Sequence, residues 1–291
     1  MKIFVTGSEG LVGKELINEL ENKGHEVIKF DFKKGQNILD KKKLGAYLKK
    51  IDVVIHLAGI INENNKKMWE INVEGTKNIL EESINKKIKK FIFLSSTGVY
   101  GFTKGIVDEN SELKPITKYE KSKYEGEQVV LNRQEEIHVN IIRSAMIFGK
   151  NDYWKKMITL LEKNFPLPCN GKNIFQIICV KELVNAIIQI IKTGEPSEIY
   201  LISGKEKLTL KEFCKKIKKE LGKKEFVWSI PETIAILFGN IFKIKILNKN
   251  NILHLKKQRN YCLEKIYKIG FKHKYKLDNQ IKKIVKEIKN D

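Results

Sequence analysis

The feature that most constrains the fold is a glycine-rich turn between a short apolar segment and a helical one. Lys2–Thr6 is apolar, and the glycines Gly7, Gly10 and Gly13 follow it. From Leu11 to Lys23 the apolar side chains recur at helical spacing. Glycines let the backbone turn sharply and let a pyrophosphate approach the free N–H groups of a helix N-terminus. The pattern therefore predicts the strand, loop and helix of a dinucleotide-binding fold.

The rest of the first half alternates apolar runs with helical patterns. The strand-like runs are Glu26–Phe30, Asp52–His56, Phe91–Leu94 and Val139–Arg143, and the helical patterns are Glu70–Ile84 and Lys118–Leu131. This alternation predicts a parallel sheet wound right-handedly, with helices on both faces. Nearly every residue of the runs is apolar, as in strands that are covered on both faces. The predicted fold class is thus α/β, a doubly wound Rossmann-type sheet.

After Gly149 the alternation gives way to helices, so we predict two unequal parts. Residues 1–150 are expected to form the cofactor-binding domain, with the catalytic residues, and residues 151–291 a smaller substrate-binding lobe. A strand at Ile199–Ile202 is expected to return to the main sheet. The predicted helices of this lobe are Trp154–Lys163, Lys181–Lys192, Leu210–Leu221, Pro231–Leu247 and Leu277–Ile288. The junction of the two parts predicts a cleft, a common place for ligands.

The longest late apolar stretch, Thr233–Leu247, is interrupted by Lys243 and Lys245 and is shorter than the ~20 residues that a membrane span needs. It is typical of an amphipathic or buried helix, and attachment to a membrane surface stays open as an alternative. The N-terminus does not have the pattern of a signal peptide. Four scattered cysteines without a CxxC pair fit a reducing compartment. We therefore expect a cytoplasmic protein without a transmembrane segment.

The formal net charge, 56 − 35 = +21, raises the question of nucleic acid. Only Arg133, Arg143 and Arg259 are arginines, and base edges and phosphates are read best by the arginine fork. A lysine surplus spread along the chain favours a solvated surface without specific nucleic-acid binding. Such a surface can steer an anionic small molecule toward the protein.

An acidic residue, Asp31, ends the second predicted strand 18 residues after Gly13. A carboxylate at this place accepts hydrogen bonds from the ribose hydroxyls of adenosine and repels a 2′-phosphate. The pattern favours NAD over NADP as the cofactor. Lys33 and Lys34 keep NADP open, because a nearby cation could accommodate the additional phosphate.

A tyrosine, a lysine and a serine form the candidate catalytic set. Tyr119 and Lys123 stand four residues apart on one face of a predicted helix. An ammonium beside a phenol is expected to lower the pKa of the tyrosine, which could then take or return the proton of a carbinol. Ser96 follows a buried strand at the edge of the sheet where open α/β folds bind ligands. We predict that Ser96 hydrogen-bonds the reacting oxygen.

These motifs together resemble the extended short-chain dehydrogenases/reductases of the NAD-dependent epimerase/dehydratase family, which act on nucleotide sugars. The resemblance covers roughly residues 1–150 and rests on TGSEGLVG, the strand end at Asp31, DVVIHLAG, NVEGT, LSSTGVYG and YEKSK. It implies that Gly7, Gly10 and Gly13 cradle the pyrophosphate of NAD and that Asp31 holds the adenosine ribose. Lys123 and Tyr119 are implied at the nicotinamide end. The further implied cofactor contacts are Leu11, Val12, Asn37, Ile38, Leu57, Ala58 and Gly59.

The resulting hypothesis is a nucleotide-sugar 4-epimerase, similar to UDP-glucose 4-epimerase, or a 4-keto reductase, and the family also implies a homodimer. A dehydratase is disfavoured because neither Thr97 nor Gly98 supplies the acid pair that such enzymes carry there. The alternative from another class is a non-catalytic dinucleotide-sensing or RNA-associated protein on the same fold. Arg259 could bind a diphosphate or form a surface salt bridge. The histidines show no ligand spacing, so no metal site is predicted, and His56 is expected to be structural.

Overall fold

In the part of the chain that the structure describes, eight strands, all in parallel pairs, make up two sheets. Six of them form the central sheet in the order β2-β1-β3-β4-β5-β8, and β6 pairs with β7 in a small second sheet. The computed structural model describes residues 1–241 and 249–290. The strands are β1 (Lys2–Thr6), β2 (Glu26–Phe30), β3 (Val53–His56), β4 (Lys90–Ser96), β5 (His138–Ser144), β6 (Ile147–Phe148), β7 (Ile178–Cys179) and β8 (Glu198–Ile202).

Eight of the eleven described helices correspond to helical patterns of the sequence, and three short ones were not predicted. The eleven are α1 (Leu11–Asn22), α2 (Lys41–Tyr47), α3 (Met68–Asn85), α4 (Lys118–Leu131), α5 (Asp152–Glu162), α6 (Val180–Thr193), α7 (Leu210–Glu220), α8 (Glu232–Ile241), α9 (Lys249–Lys256), α10 (Glu264–Lys268) and α11 (Leu277–Lys289). The predicted helix Pro231–Leu247 corresponds to α8, and its last part lies outside the described residues. The predicted doubly wound α/β class is confirmed.

Helices cover the central sheet on both faces. Ile3 and Val5 of β1 pack with α1 and α6 on one face, while Phe4 packs with α2, α3 and α4 on the other. All three side chains are fully buried. Burying a side chain of this size contributes roughly 1.5–3 kcal/mol, so the apolar strands drive formation of the sheet. This explains why the sequence of each strand is an almost unbroken apolar run.

The second half of the chain both extends the sheet and builds a separate apolar cluster. Helix α6 packs on α1, and β8 pairs with β5 at the edge of the sheet. Outside the sheet, α5, α7 and α11 enclose a cluster with edge-on aromatic contacts. In that cluster the ring centroids of Phe148 and Trp154 are 4.9 Å apart, and those of Phe148 and Phe213 are 5.4 Å apart.

The strand order reverses at β1, which has β2 on one side and β3 on the other. In such a sheet the connections on either side of the reversal leave on opposite faces, and a crevice opens at the carboxyl ends of the strands. The cofactor site would therefore be built from the residues that follow β1, β2 and β3. Within 1–241 and 249–290, no helix is both long and apolar enough to cross a membrane.

Candidate active site

The loop between β1 and α1 brings three backbone segments closer together than side chains would allow. Gly7 has a φ of +69°, and a Cβ on it would lie 2.8 Å from the backbone nitrogen of Ala58. A Cβ on Gly13 would lie 2.2 Å from the carbonyl oxygen of Gly7. Helix α1 begins after Gly10 without a side-chain cap. Its first N–H groups are thus available to an anion, and the loop is a cradle that suits a pyrophosphate.

A cleft of about 370 Å³ lies at the carboxyl ends of β1, β2 and β3. Eight of the residues predicted to bind the cofactor line it: Gly7, Gly10, Asp31, Asn37, Ile38, Leu57, Ala58 and Gly59. The other five, Leu11, Val12, Gly13, Tyr119 and Lys123, are not among the residues that line it. The side chain of Val12 is buried in the core, Leu11 packs against Gly149, and Gly13 packs on the loop backbone. Their place at the start of α1 puts their backbone, rather than their side chains, near the cradle.

Asp31 is fixed at the mouth of this cleft by two backbone donors. Its Oδ2 accepts from the N–H of Glu9 at 2.8 Å, and its Oδ1 accepts from the N–H of Lys33 at 2.9 Å. The carboxylate thereby links the glycine loop to the turn after β2. Lys33 lines the same cleft, whereas the ammonium of Lys34 pairs with Glu9 at 3.3 Å.

The structure brings Ser96 and Tyr119 together but gives Tyr119 a different electrostatic environment from the one predicted. A capping box between Thr117 and Glu120 starts α4 and so positions Tyr119 in its first turn. Burial raises the pKa of Tyr119 to about 12, and a hydrogen bond with the Ser96 hydroxyl only partly opposes this. The expectation that Lys123 lowers the pKa of Tyr119 is wrong, because desolvation of the phenol dominates.

Lys123 lies one turn further along α4 and is almost fully buried, with 5% of its surface exposed. Its ammonium sits 4.3 Å from the ring centroid of Phe93, in a cation–π contact. Burial lowers the pKa of Lys123 to about 8, against the opposing charge of Glu127. A position for a Cβ on Gly59 lies 4.0 Å from the Lys123 ammonium, so Lys123 faces the segment that lines the cleft.

Sequence reasoning missed the buried Asn72, which ties the cleft to the helix of Tyr119. Its Oδ1 accepts from the N–H of Ile60 at 2.7 Å, and its Nδ2 donates to the carbonyl of Ile60 at 3.0 Å and to Ser122 Oγ at 2.9 Å. The Ser122 hydroxyl in turn donates to the carbonyl of Tyr119 at 2.7 Å. The sequence did contain a signal for Asn72, because it is a polar residue in the NVEGT segment on the buried face of α3.

His56 is held between two threonines beneath the cleft. Its Nδ1 is 2.7 Å from Thr6 Oγ1, and its Nε2 is 3.0 Å from Thr76 Oγ1. Burial, aided by the charge of Lys123, lowers the pKa of His56 to about 3, so the ring is neutral at physiological pH. The histidine is structural, as predicted. Across the part of the chain that the structure describes, no group of three or more His, Cys, Asp and Glu side chains could hold a metal ion.

Residues after α9 bring two buried cations near Glu120, the residue that follows Tyr119 in α4. The Lys257 ammonium donates to the carboxylate of Glu120, and both groups are buried. Arg259 is 6% exposed, and its guanidinium lies 5.1 Å from the ring centroid of Phe175. In residues 1–241 and 249–290, no carboxylate lies within 4 Å of Arg259. The alternative of a surface salt bridge for Arg259 is therefore wrong.

A hydrogen bond connects this segment to the end of β4. The hydroxyl of Tyr261 donates to Thr97 Oγ1 at 2.9 Å, and Thr97 directly follows Ser96. Helix α4 thus contacts two regions of different character. Through Lys123 it faces the cleft at the glycine loop, and through Glu120, the residue after Tyr119, it reaches a buried cationic region around Lys257 and Arg259.

Comparisons with known proteins agree with this arrangement. The dTDP-D-glucose 4,6-dehydratase of Dictyostelium discoideum is 28% identical over 268 residues, which cover 74% of this chain and 61% of that protein. The N-acetyl-alpha-D-glucosaminyl-diphospho-ditrans,octacis-undecaprenol 4-epimerase of Escherichia coli O157:H7 is 24% identical over 94% of this chain and 91% of its own. The crystal structure of UDP-glucuronic acid 4-epimerase from Bacillus cereus in complex with NAD superposes with a TM-score of 0.83, at 21% identity, over 100% of this chain and 99% of that one.

The model of the NAD dependent epimerase/dehydratase family matches residues 3–203, well over half of the chain. That span contains the glycine loop, the strand end at Asp31 and the Ser96, Tyr119 and Lys123 set. The resemblance predicted from the sequence motifs is confirmed, and so is NAD as the cofactor. The chain belongs to the NAD-dependent epimerase/dehydratase family of extended short-chain dehydrogenases/reductases.

Proposed function

We propose that the protein is a nucleotide-sugar 4-epimerase or 4-keto reductase that moves a hydride reversibly at a sugar carbon. The observation that carries this proposal is the place of Tyr119 beside Ser96 on α4, a helix that faces the glycine-loop cleft through Lys123 and the cationic region through Glu120. A sugar linked to a diphosphate could there meet a cofactor on one side and bind through its phosphates on the other. The Escherichia coli and Bacillus cereus proteins named above are both 4-epimerases.

The cofactor would occupy the cleft with its pyrophosphate against Gly7 and Gly10 and its adenosine ribose at Asp31. NAD, when bound, supplies the acceptor and donor of the hydride. Lys123 would donate a hydrogen bond to the nicotinamide ribose from its buried position beside Gly59. The charge of Asp31 supports NAD over NADP, although Lys33 lines the same cleft.

Tyr119 would move the proton of the reacting sugar hydroxyl. With a pKa of about 12, the phenol holds its proton at neutral pH and suits the direction in which a keto oxygen is protonated. When the sugar hydroxyl is oxidised instead, Tyr119 must accept the proton as the phenolate. A cation near the phenol would stabilise that phenolate. Ser96 would hydrogen-bond the same oxygen of the sugar and keep it within reach of Tyr119.

Arg259 would bind the diphosphate of the substrate. A buried guanidinium without a carboxylate partner is costly, and two phosphates can satisfy its planar fork of N–H donors. Lys257 is already engaged with Glu120, whereas the hydrogen bond that Arg259 makes among the described residues is a long one to the carbonyl of Lys257, at 3.4 Å, so its fork keeps donors for this role. Its place over the Phe175 ring orients the fork.

The same geometry argues against a dehydratase, although the Dictyostelium relative is one. A side chain at Gly98 would need space that Glu120 already fills, because a Cβ there would lie 2.8 Å from Glu120 Cγ. Glu120 itself accepts from two backbone N–H groups and from Lys257, so its carboxylate is not placed to lose or gain a proton easily. The site would therefore lack the acid that a dehydratase needs for the loss of water.

The deciding experiment is a screen of UDP-, dTDP- and GDP-sugars with purified protein, followed by single-turnover reduction of bound NAD on the active sugar. Tyr119→Phe is expected to slow this step by ~10²–10⁴-fold while NAD stays bound. Tyr124→Phe, on the same helix, is the control and should retain the wild-type rate. Chemistry that is unchanged in Tyr119→Phe would overturn the proposed mechanism.

Product analysis separates the two activities, because an epimerase regenerates NAD within one cycle and a reductase consumes added NADH. Bound NAD without turnover of any sugar, together with tight RNA binding, would instead favour the non-catalytic alternative. A homodimer, a cytoplasmic location and the assignment of residues 151–291 as the substrate-binding part stay predictions.

A further inference from the structure

Helix α8 has an apolar face that points away from the rest of the protein. Ile234, Leu237 and Ile241 are exposed to 41%, 57% and 62%. Their spacing of three and four residues places them on one stripe of the helix. Ala235, on the other side of the helix, is fully buried. The helix is thus seated on the protein by one face and leaves three large aliphatic side chains in solvent on the opposite one.

Two exposed aromatic residues precede this helix. Phe226 is 68% exposed and Trp228 is 46% exposed. The indole N–H of Trp228 donates to the carbonyl of Asn164 at 2.9 Å, so its polar atom is already satisfied. We call Phe226, Trp228, Ile234, Leu237 and Ile241 together the outer α8 surface. So many exposed large apolar side chains in sixteen residues are typical of a binding surface.

The charges around the outer α8 surface indicate the chemistry of its partner. Glu232 is the one charged residue of α8, and it is paired with Lys256 of α9. The exposed Lys223 and Lys224 precede Phe226 and are separated from it by the exposed Glu225, so this flank keeps a net charge of +1. An apolar stripe flanked by lysines, on a chain of net charge +21, is complementary to an apolar layer with an anionic border.

We propose that the outer α8 surface seats the protein on the surface of a bilayer that contains anionic lipid. The aliphatic stripe would enter the boundary between headgroups and acyl chains, and the aromatic rings would lie at headgroup level. Lys223 and Lys224 would remain in water beside the lipid phosphates. The helix would lie in the plane of the membrane surface, which requires no membrane-spanning segment.

The test is flotation of the full chain with vesicles of phosphatidylcholine that contain phosphatidylglycerol, and with vesicles of phosphatidylcholine alone. We expect binding to the anionic vesicles, weaker binding at raised ionic strength, and a loss of at least about tenfold in partitioning for Ile234→Gln/Leu237→Gln, on the order of 1.4 kcal/mol. The matched control is Ile61→Gln/Ile106→Gln, whose side chains are exposed elsewhere to 73% and 63%. It should float like the wild type.

A second readout does not depend on removing apolar side chains. Tryptophan placed by Leu237→Trp should shift its emission to shorter wavelength when anionic vesicles are added, whereas Ile106→Trp should not. The proposal is overturned by absent binding, by equal binding of the two glutamine variants, or by equal shifts of the two tryptophan variants. It is also overturned if Ile234→Gln/Leu237→Gln converts a dimer into a monomer in sedimentation, because a second copy would then cover this surface.

Discussion

The guanidinium of Arg143 and the carboxylate of Glu127 form a buried ion pair beneath the helix that carries Tyr119. Arg143 Nη2 is 2.8 Å from Glu127 Oε2, and the two side chains are 3% and 0% exposed. Ser95 Oγ donates to the same carboxylate at 2.5 Å, and Arg143 also donates to the hydroxyl of Tyr100. Since Glu127 lies one turn beyond Lys123, this pair holds α4 against the ends of β4 and β5, where Ser96 is placed.

Glu127→Gln should lower the free energy of unfolding by about 3–5 kcal/mol, because it leaves Arg143 buried without a counter-charge. Urea denaturation measures this directly. The control is Glu136→Gln, which breaks the exposed pair of Arg133 with Glu136 and should cost less than about 1 kcal/mol. Equal losses in the two variants would show that the buried pair does not hold α4 in place.

Strands of the central sheet could be predicted because their apolar runs result directly from burial on both faces. Val53, Val54 and Ile55 of β3 are an example, and all three are buried. The elements that escaped prediction are short. Helix α10 has five residues and β6 has two, too few to show any period in the sequence. Pairs such as β6 with β7 depend on contacts across thirty residues of chain.

The site was predictable to the extent that its residues follow strands. Gly7 and Asp31 line the cleft because the carboxyl ends of parallel strands meet there. The four-residue spacing on α4 predicted that Tyr119 and Lys123 share one face. It could not predict the cation–π contact between the Lys123 ammonium and the ring of Phe93 in β4. The burial of Arg259 likewise depends on how the C-terminal segment packs.

Gly13→Ala should impair cofactor binding by well over tenfold and destabilise the protein. The new Cβ would meet the carbonyl oxygen of Gly7 at 2.2 Å, and backbone atoms cannot move aside as a flexible side chain can. Fluorescence titration with NAD and thermal unfolding measure the two effects. Gly45→Ala in α2 is the control, because its Cβ would meet only the ends of two flexible side chains, Glu82 and Lys86. Unimpaired NAD binding in Gly13→Ala would contradict the close packing.

Lys123→Met should make the protein more stable at pH 7, by up to about 3 kcal/mol, while it removes activity. The pKa of Lys123 is about 8 in the folded protein against an ordinary 10.5. The folded state therefore binds fewer protons between these values, and the stability of the wild type rises with pH across that window. The advantage of Lys123→Met should shrink over the same range.

Thermal unfolding at pH 7 and near pH 10 measures this difference. Lys121→Met changes an exposed lysine of the same helix and should show no such dependence on pH. If Lys123→Met is no more stable than the wild type at pH 7, the desolvation of the ammonium is already compensated in the folded protein. The expected gain in stability would then be wrong.

Asp31→Ser should narrow the preference for NAD over NADP. The carboxylate repels a 2′-phosphate and, with its two oxygens, accepts from Glu9 and Lys33. Serine removes the charge but keeps one hydrogen-bond acceptor. Lys33 can then attract the 2′-phosphate of NADP without an opposing carboxylate. Parallel titrations with both cofactors measure the ratio. A wild type that prefers NADP by tenfold, equivalent to ~1.4 kcal/mol, would refute the role given to Asp31.

Gly98→Ala should cost stability and turnover because its Cβ would lie 2.8 Å from Glu120 Cγ and 3.2 Å from Ser96 Oγ. Overpacking of this kind costs ~1–3 kcal/mol, and here it would displace the carboxylate that starts α4 beside Tyr119.

The clash with Glu120 can be isolated by repeating Gly98→Ala in a Glu120→Ala/Lys257→Met background, which removes both the obstructing side chain and the cation that would be left unpaired. In that background Gly98→Ala should cost clearly less in urea denaturation than it does in the wild type, because only the contact of its Cβ with Ser96 Oγ at 3.2 Å remains. If Gly98→Ala costs the same in both backgrounds, Glu120 is not what excludes a side chain at position 98, and the structural argument against a dehydratase loses its support.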